Sequence, residues 1–237
     1  MKSLLTTLLL AVLLVGCANM NDILGSSSGS GSVLGQQGQL ANAVKQTLEL
    51  SSTRAADSLS KAGGYFDNPA MKIMMPEQFN NITSTLRQFG FGRYVDDIEK
   101  SMNKGAEQAA AKAGEMFVAS IKNMEVDDAI GIIRGGNTAA TDYFRAETED
   151  QLRQEYQPII RKNLQEVGFF DEYERLLDIY NTLPVSNKVN LDLEDYVVEQ
   201  SLNGLFTRVA EEEKAIRANP LSRGSELLSS IFSATQK

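Results

Sequence analysis

From Leu40 onward, apolar residues recur at intervals of three and four. Leu40, Val44, Leu48, Ala55 and Leu59 form one stripe of a helix that Gly63-Gly64 ends. Asn68-Pro69 reads as an N-cap with proline at the first helical position, opening a short turn through Met71 and Ile73. Pro76 opens a further helix with Phe79, Ile82, Leu86 and Phe89 on one face, stopped by Gly90 and Gly92. Residues 93–123 predict the longest helix, with Val95, Ile98 and Met102 as its first seam and Met116, Phe117 and Ile121 as its last. Between the seams, Gly105-Ala106, the alanines at 109–111 and Ala113-Gly114 are small enough to let a neighbouring helix approach closely.

A shorter helix is expected over 126–133, ending at Gly135-Gly136, and Asn137 or Thr138 caps a helix carrying Tyr143 and Phe144. Thr148 with Gln151 matches a capping box, predicting a separate helix through Leu152, Tyr156, Ile160, Leu164 and Val167, kinked or broken near Pro158. Phe170, Tyr173, Leu177 and Tyr180 mark another helix, stopped by Pro184. Asp192 caps the last long one, whose stripe is Val198, Leu202, Leu205, Val209 and Ile216, and Leu227, Leu228 and Ile231 close the chain. No stretch alternates with period two and no internal repeat is present. The pattern predicts an all-α domain over residues 39–237, a single helical bundle of about eight helices.

Ahead of this domain the pattern changes twice. Lys2 precedes twelve mostly apolar residues at 4–15, too few to span a bilayer core, which needs about 20, and suited to a secretory h-region of about 7 to 15. Leu14-Val15-Gly16-Cys17 resembles the lipobox of bacterial lipoproteins. That resemblance implies a leader over 1–16 cut between Gly16 and Cys17, and acyl chains on Cys17. Two or three such chains attach a protein stably to a membrane. The bland alternative is an ordinary secretory leader beside an incidental thiol. Ala18, in place of the Asp that marks inner-membrane retention in such lipoproteins, implies the outer membrane. Half of residues 19–38 are Gly or Ser, a composition expected to form a flexible tether over 17–38, about 25 Å end to end for 20 residues.

Composition narrows the chemistry. Among 237 residues there is no His, no Trp and one Cys. This removes the Ser-His-Asp and Cys-His relays, imidazole ligands, an internal disulfide and any thiolate zinc site. No cofactor is expected. The formal net charge is −8, and loss of Lys2 with the leader makes it −9. Lys and Arg are scattered along the chain with no basic run, so nucleic-acid binding is disfavoured.

Several phrases together resemble the bacterial family known as domain of unknown function 4197. They are Asn68-Pro69-Ala70, Val95-Asp96-Asp97-Ile98-Glu99-Lys100-Ser101-Met102-Asn103, Asp127-Asp128-Ala129-Ile130-Gly131-Ile132 and Ala139-Ala140-Thr141-Asp142-Tyr143-Phe144-Arg145. Asp195-Tyr196-Val197, Gly204-Leu205-Phe206 and Ala210-Glu211-Glu212-Glu213-Lys214 come next, with Asn219-Pro220 beyond. The resemblance spans roughly 40–232 and implies an envelope setting and a helical fold. It implies no activity.

Four residues stand out as candidate binding groups: Asp142, Tyr143, Arg145 and Glu212. In Asp142-Tyr143-Phe144-Arg145 the aromatic pair would anchor a helix while Asp142 and Arg145 sit one turn apart, either as a structural ion pair or as a ligand clamp. Glu211-Glu212-Glu213 point about 100° apart on a helix. With Arg208, Lys214 and Arg217 nearby, they read as an ion-paired solvated face, with a metal or catalytic acid as the alternative. Gly135-Gly136-Asn137-Thr138 reads as a tight turn, or as an anion site at a helix start. The sequence thus favours a non-enzymatic envelope lipoprotein, held to the outer membrane through Cys17 with its domain facing the periplasm, and acting by binding an envelope protein partner or stabilising an assembly. The alternatives are a carrier of an apolar molecule in an interhelical pocket and, more distantly, a carboxylate-based hydrolase.

Overall fold

The computed structural model describes residues 31–183 and 193–235, with side chains over 37–183 and 193–232. Among them are nine α-helices, one 3-10 turn and no strand. In chain order the helices are α1 (Gly31–Leu59), α2 (Asn80–Gln88), α3 (Gly92–Asn123), α4 (Ala129–Arg134), α5 (Ala139–Glu166), α6 (Phe169–Thr182), α7 (Leu193–Ala218), α8 (Pro220–Arg223) and α9 (Glu226–Thr235). The chain divides into two units, Met1–Gln39 and Leu40–Lys237. The opening turns of α1 belong to the first, and the helical bundle is the second. The leader, Gly16, Cys17, Pro184 and Asp192 lie outside the described residues.

α3 is the axis of the bundle. It packs most extensively on α5 and also meets α2, α6 and α7. Its predicted seams are buried, and Ala106, Ala109, Ala110 and Ala113 between them are fully shielded from solvent. A Cβ at Gly105 would lie 2.7 Å from Leu164 Cδ2 of α5, and one at Gly114 would lie 2.6 Å from the Ala56 Cβ of α1. The stretch of small residues is therefore occupied on both sides, as expected. Phe117 of α3, Phe144 of α5 and Phe206 of α7 close the core with ring centroids 5.0 to 5.8 Å apart. Tyr65 packs on Gly204, where a Cβ would come within 2.7 Å of its ring. Its hydroxyl donates to the Ser201 carbonyl at 2.8 Å.

Elsewhere the structure departs from the pattern. α1 begins at Gly31, inside the stretch expected to be a tether. Extending an existing helix costs far less than nucleating one, so the buried turns from Ala43 onward carry it back through the glycines. α5 is one helix where two were expected. Thr148 is buried in its interior, its hydroxyl donating to the Phe144 carbonyl one turn back, so the Thr148–Gln151 capping box does not exist. Pro158 sits within the same helix without ending it. Gly92 begins α3 rather than ending α2, while Gly90 (φ 84°) makes the turn between them. The buried face of α6 is Phe169, Leu176 and Tyr180: Tyr180 is buried as expected, while Phe170, Tyr173 and Leu177 of the expected stripe pack on the core only in part, and left-handed Gly168 (φ 78°) precedes the helix.

Between α1 and α2 the chain makes turns, runs through residues 72–76 with neither helix nor strand, and is extended at Pro76. Asn68 caps a single turn, accepting from the Ala70 N–H at 3.1 Å. The expected helical continuation through Ile73 is absent, because α3 satisfies this backbone instead. Glu107 Oε1 accepts from the N–H groups of Tyr65 and Phe66, each at 3.1 Å. Asn103 accepts from Ile73 N–H at 2.9 Å and donates to its carbonyl at 2.7 Å. Glu99 accepts from Met75 N–H at 3.1 Å. These three side chains stand one turn apart on α3 and satisfy backbone groups that a buried loop otherwise leaves unpaired.

Candidate functional site

Two polar arrangements join α7 to its neighbours, one buried and one along the surface. In the first, the fully buried carboxylate of Glu213 caps α5 from another helix. It accepts from Ala140 N–H at 3.0 Å, Thr141 N–H at 2.8 Å and the Thr141 hydroxyl at 2.6 Å. These are amide groups that a helix cannot satisfy internally, and a negative charge there meets the positive end of the helix dipole. Thr138, at the N-cap position, makes no capping bond and donates to Asp142 Oδ2 at 2.9 Å instead. Arg217, one turn after Glu213, donates to it from Nε at 2.8 Å. Its Nη1 and Nη2 reach the Ile133 and Ile132 carbonyls at the end of α4, both at 3.0 Å. The Phe232 ring of α9 covers the guanidinium at 4.8 Å. One ion pair thus binds four helices.

The second arrangement runs along the α5–α7 seam. Arg145 holds Glu149 through two bonds of 2.7 and 3.0 Å, donates to Asn203, and lies 5.1 Å from the Phe206 ring centroid. The Arg145 hydrogen bonds hold the Glu149 carboxyl below its ordinary value, against an opposing effect of partial burial, with Arg153 adding a weaker attraction. Arg208 bridges Glu211 and Glu212 at 2.8 Å each. Farther along, Gln157 donates to Asp195 at 2.9 Å and Arg161 pairs with Glu194 at 2.8 Å. Between these braces the helices part around a cleft of about 520 Å³, with Arg153 and Gln157 on the α5 wall and Asp195, Tyr196 and Glu199 among the residues of the α7 wall. Tyr196 donates to the Met74 carbonyl at 2.9 Å. Burial, and then the charges of Glu199, Glu99 and Glu77, push its hydroxyl above the ordinary tyrosine value. A smaller cleft of about 310 Å³ continues past Pro158 to Arg161, Lys162 and Gln165.

The four candidate residues do not converge. Asp142 is exposed and bonded to Thr138, while Arg145 turns away to Glu149 and Asn203, so the Asp142–Arg145 pair does not form. Tyr143 donates to the Glu125 carbonyl at 3.0 Å; burial raises its hydroxyl, as do the weaker charges of Glu147, Asp127 and Glu125. Glu212 lies on another face with Arg208. The Glu211-Glu212-Glu213 run is ion-paired as read, but it is not a solvated face: Glu212 is 7% exposed and Glu213 is 0% exposed. The Gly135-Gly136-Asn137-Thr138 turn holds no anion site, because Glu213 already fills the start of α5. Of the three methionines near position 74, Met71 and Met75 are core and Met74 is half exposed. Among the described residues no group of acidic or cysteine side chains is placed to hold a metal ion. No helix there is long and apolar enough to cross a membrane.

Sequence reasoning missed Glu99, Asn103 and Glu107, although a polar residue recurring once per turn inside an apolar helix face was the available signal. It also missed Arg153 and Glu199, which carry no local signature because their relation exists only once α5 and α7 lie side by side. No curated protein matches the chain, and no solved structure does. Residues 35–233 match the profile described as protein of unknown function, DUF4197, and the chain belongs to that family.

Proposed function

We propose that this protein is a lipid-anchored envelope protein, held at the outer membrane through Cys17, whose helical domain acts by binding a partner rather than by catalysis. The observation that carries the second half is the employment of its buried carboxylates. Glu99 and Glu107 hold the backbone of the loop between α1 and α2, Glu213 caps α5, and Glu212 pairs with Arg208. A hydrolase needs two acids about 5 to 10 Å apart across a groove. The acids of the seam cleft, Asp195 and Glu199, are instead neighbours on one helix, and Asp195 accepts from Gln157. The cleft linings are charged and amide-bearing, which favours a polar ligand over the apolar cargo of a carrier. The anchor rests on the leader and the Leu14-Val15-Gly16-Cys17 phrase.

The two halves are tested separately. Growth with an alkyne-tagged fatty acid is expected to label the wild type and not Cys17→Ser, and label on the variant would overturn the anchor. Photocrosslinkers at Phe89 and Leu221, which are 52% and 70% exposed, are expected to capture a discrete envelope protein. Crosslinks that scatter over abundant proteins, or none at either position, would overturn the partner.

A further inference from the structure

Along the α5–α7 seam nearly every charged side chain is spoken for. Arg145 holds Glu149, Gln157 meets Asp195, Arg161 holds Glu194, and Arg208 holds Glu211 and Glu212. Arg153 and Glu199 break the series. They stand on opposite walls of the cleft of about 520 Å³. Among the described residues neither makes an ion pair or a hydrogen bond, with the other or with anything else. Arg153 is half-buried and Glu199 exposed; the Glu149 carboxylate one turn before Arg153 attracts it but is bonded to Arg145 instead.

The surroundings fix what could lie between them. Gln157, on the wall of Arg153, donates its Nε2 to Asp195 and has its side-chain oxygen left to accept from a ligand N–H beside the charge. Tyr196 and Val198 supply an apolar floor of modest size. The acids of the lining, Asp195 and Glu199, lie on the α7 wall, and Glu199, with Glu99 of α3 and Glu77 of the 3-10 turn behind it, adds to the effect of burial on the Tyr196 hydroxyl. The cleft is therefore positive on one wall and negative on the other, with room in between. Its volume falls in the ordinary range for small-molecule sites, about 300 to 1,000 Å³.

We infer that this cleft binds a short unblocked peptide of dipeptide size, its terminal carboxylate on Arg153 and its terminal ammonium on Glu199. The geometry supplies a bidentate guanidinium for the carboxylate, a carboxylate for the ammonium, and Gln157 for the peptide group between them. Such binding is separate from the partner role, and it holds whether or not the domain is lipid-anchored or meets a protein partner.

The test is isothermal titration of the full chain, purified in detergent, with a panel of unblocked dipeptides and their N-acetyl and C-amide counterparts. At least one unblocked dipeptide is expected to bind saturably, with affinity falling about tenfold or more when either end is blocked. Arg153→Gln is expected to erase the preference for a free carboxylate while keeping that for a free amine, and Glu199→Gln the reverse. Both side chains reach solvent, so thermal melts of the variants are expected to match the wild type. A merely structural role would weaken all ligands together, which this crossed pattern separates. The assignment is overturned if no dipeptide binds, if blocked and unblocked forms bind alike, if both variants lose all ligands equally, or if a crystal structure shows Arg153 and Glu199 closed on each other.

Discussion

Glu213 and Arg217 lie one turn apart on α7 at 2.8 Å, and each end of the pair serves a different helix. The carboxylate closes the start of α5 and the guanidinium closes the end of α4, so both helix dipoles meet the opposite charge. Removing one partner leaves a buried charge uncompensated, which costs about 3–5 kcal/mol. Glu213→Ala is expected to lose that much in urea unfolding. Glu213→Gln, which retains an acceptor for one amide, is expected to lose less. The double variant Glu213→Gln/Arg217→Met is expected to lose less than the sum of its singles, because no lone charge remains. Strict additivity would show the pair to be energetically uncoupled.

The close approach of α3 to its neighbours is expected to make alanine harmful where helix propensity alone makes it helpful. Gly→Ala in a helix interior gains about 1 kcal/mol from propensity. At Gly105 the new methyl meets Leu164 at 2.7 Å and at Gly114 it meets Ala56 at 2.6 Å, overpacking that costs about 1–3 kcal/mol. Both variants are expected to lower the melting temperature. Gly136→Ala, where nothing lies within 4 Å, is expected to leave it near the wild-type value.

Asn103 makes three bonds, to Ile73 N–H and C=O and to the Glu99 carbonyl. Asn103→Ala orphans a buried donor and acceptor on Ile73, at about 1–3 kcal/mol each. Hydrogen exchange is expected to speed up at Ile73 and Met75 far more than in α5. Uniform acceleration over the whole domain would mean that the segment has no independent opening.

Burial raises the hydroxyls of Tyr65 and Tyr156 above the ordinary tyrosine value. A proton held more tightly in the folded state than in the unfolded one stabilises fully below the unfolded pKa near 10 and is lost as pH rises through the folded one. Alkaline unfolding is therefore expected to begin above about pH 10. The Tyr156 hydroxyl lies beside Ser201 without a full hydrogen bond, so Tyr156→Phe is expected to extend stability upward in pH at little cost near neutrality. Tyr65→Phe loses the bond to the Ser201 carbonyl and is expected to be destabilised at both pH values. Equal alkaline midpoints for wild type and Tyr156→Phe would place the titration elsewhere.

The apolar stripes of α1, α3 and α7 were legible because a helix repeats its buried face every 3.6 residues whatever it packs against. Val198, Leu202, Leu205, Val209 and Ile216 are all buried as their spacing requires. The polar architecture was not legible. Glu213 reaches amides 72 and 73 positions away, and nothing in Glu211-Glu212-Glu213 distinguishes the one that turns inward. Thr148 shows the reverse failure: a local capping signature inside a helix whose real cap comes from another element. Arg145 likewise chose Glu149, one turn later, over Asp142, one turn earlier, because Asn203 and the Phe206 ring lie on that side.

The loop between α1 and α2, lying beside α3, has a consequence for the order in which the chain acquires shape. Its backbone partners come from Glu99, Asn103 and Glu107, which lie 24 to 42 positions downstream. On a chain emerging from its N-terminus, this stretch is made before anything that can hold it exists. It has no periodic pattern with which to settle alone, so it waits as uncommitted polypeptide until α3 has formed a few turns. Then three side chains on one helix face read its register in a single docking step. A substitution on α3 therefore acts on a strip of chain that is already complete when the substituted residue is added.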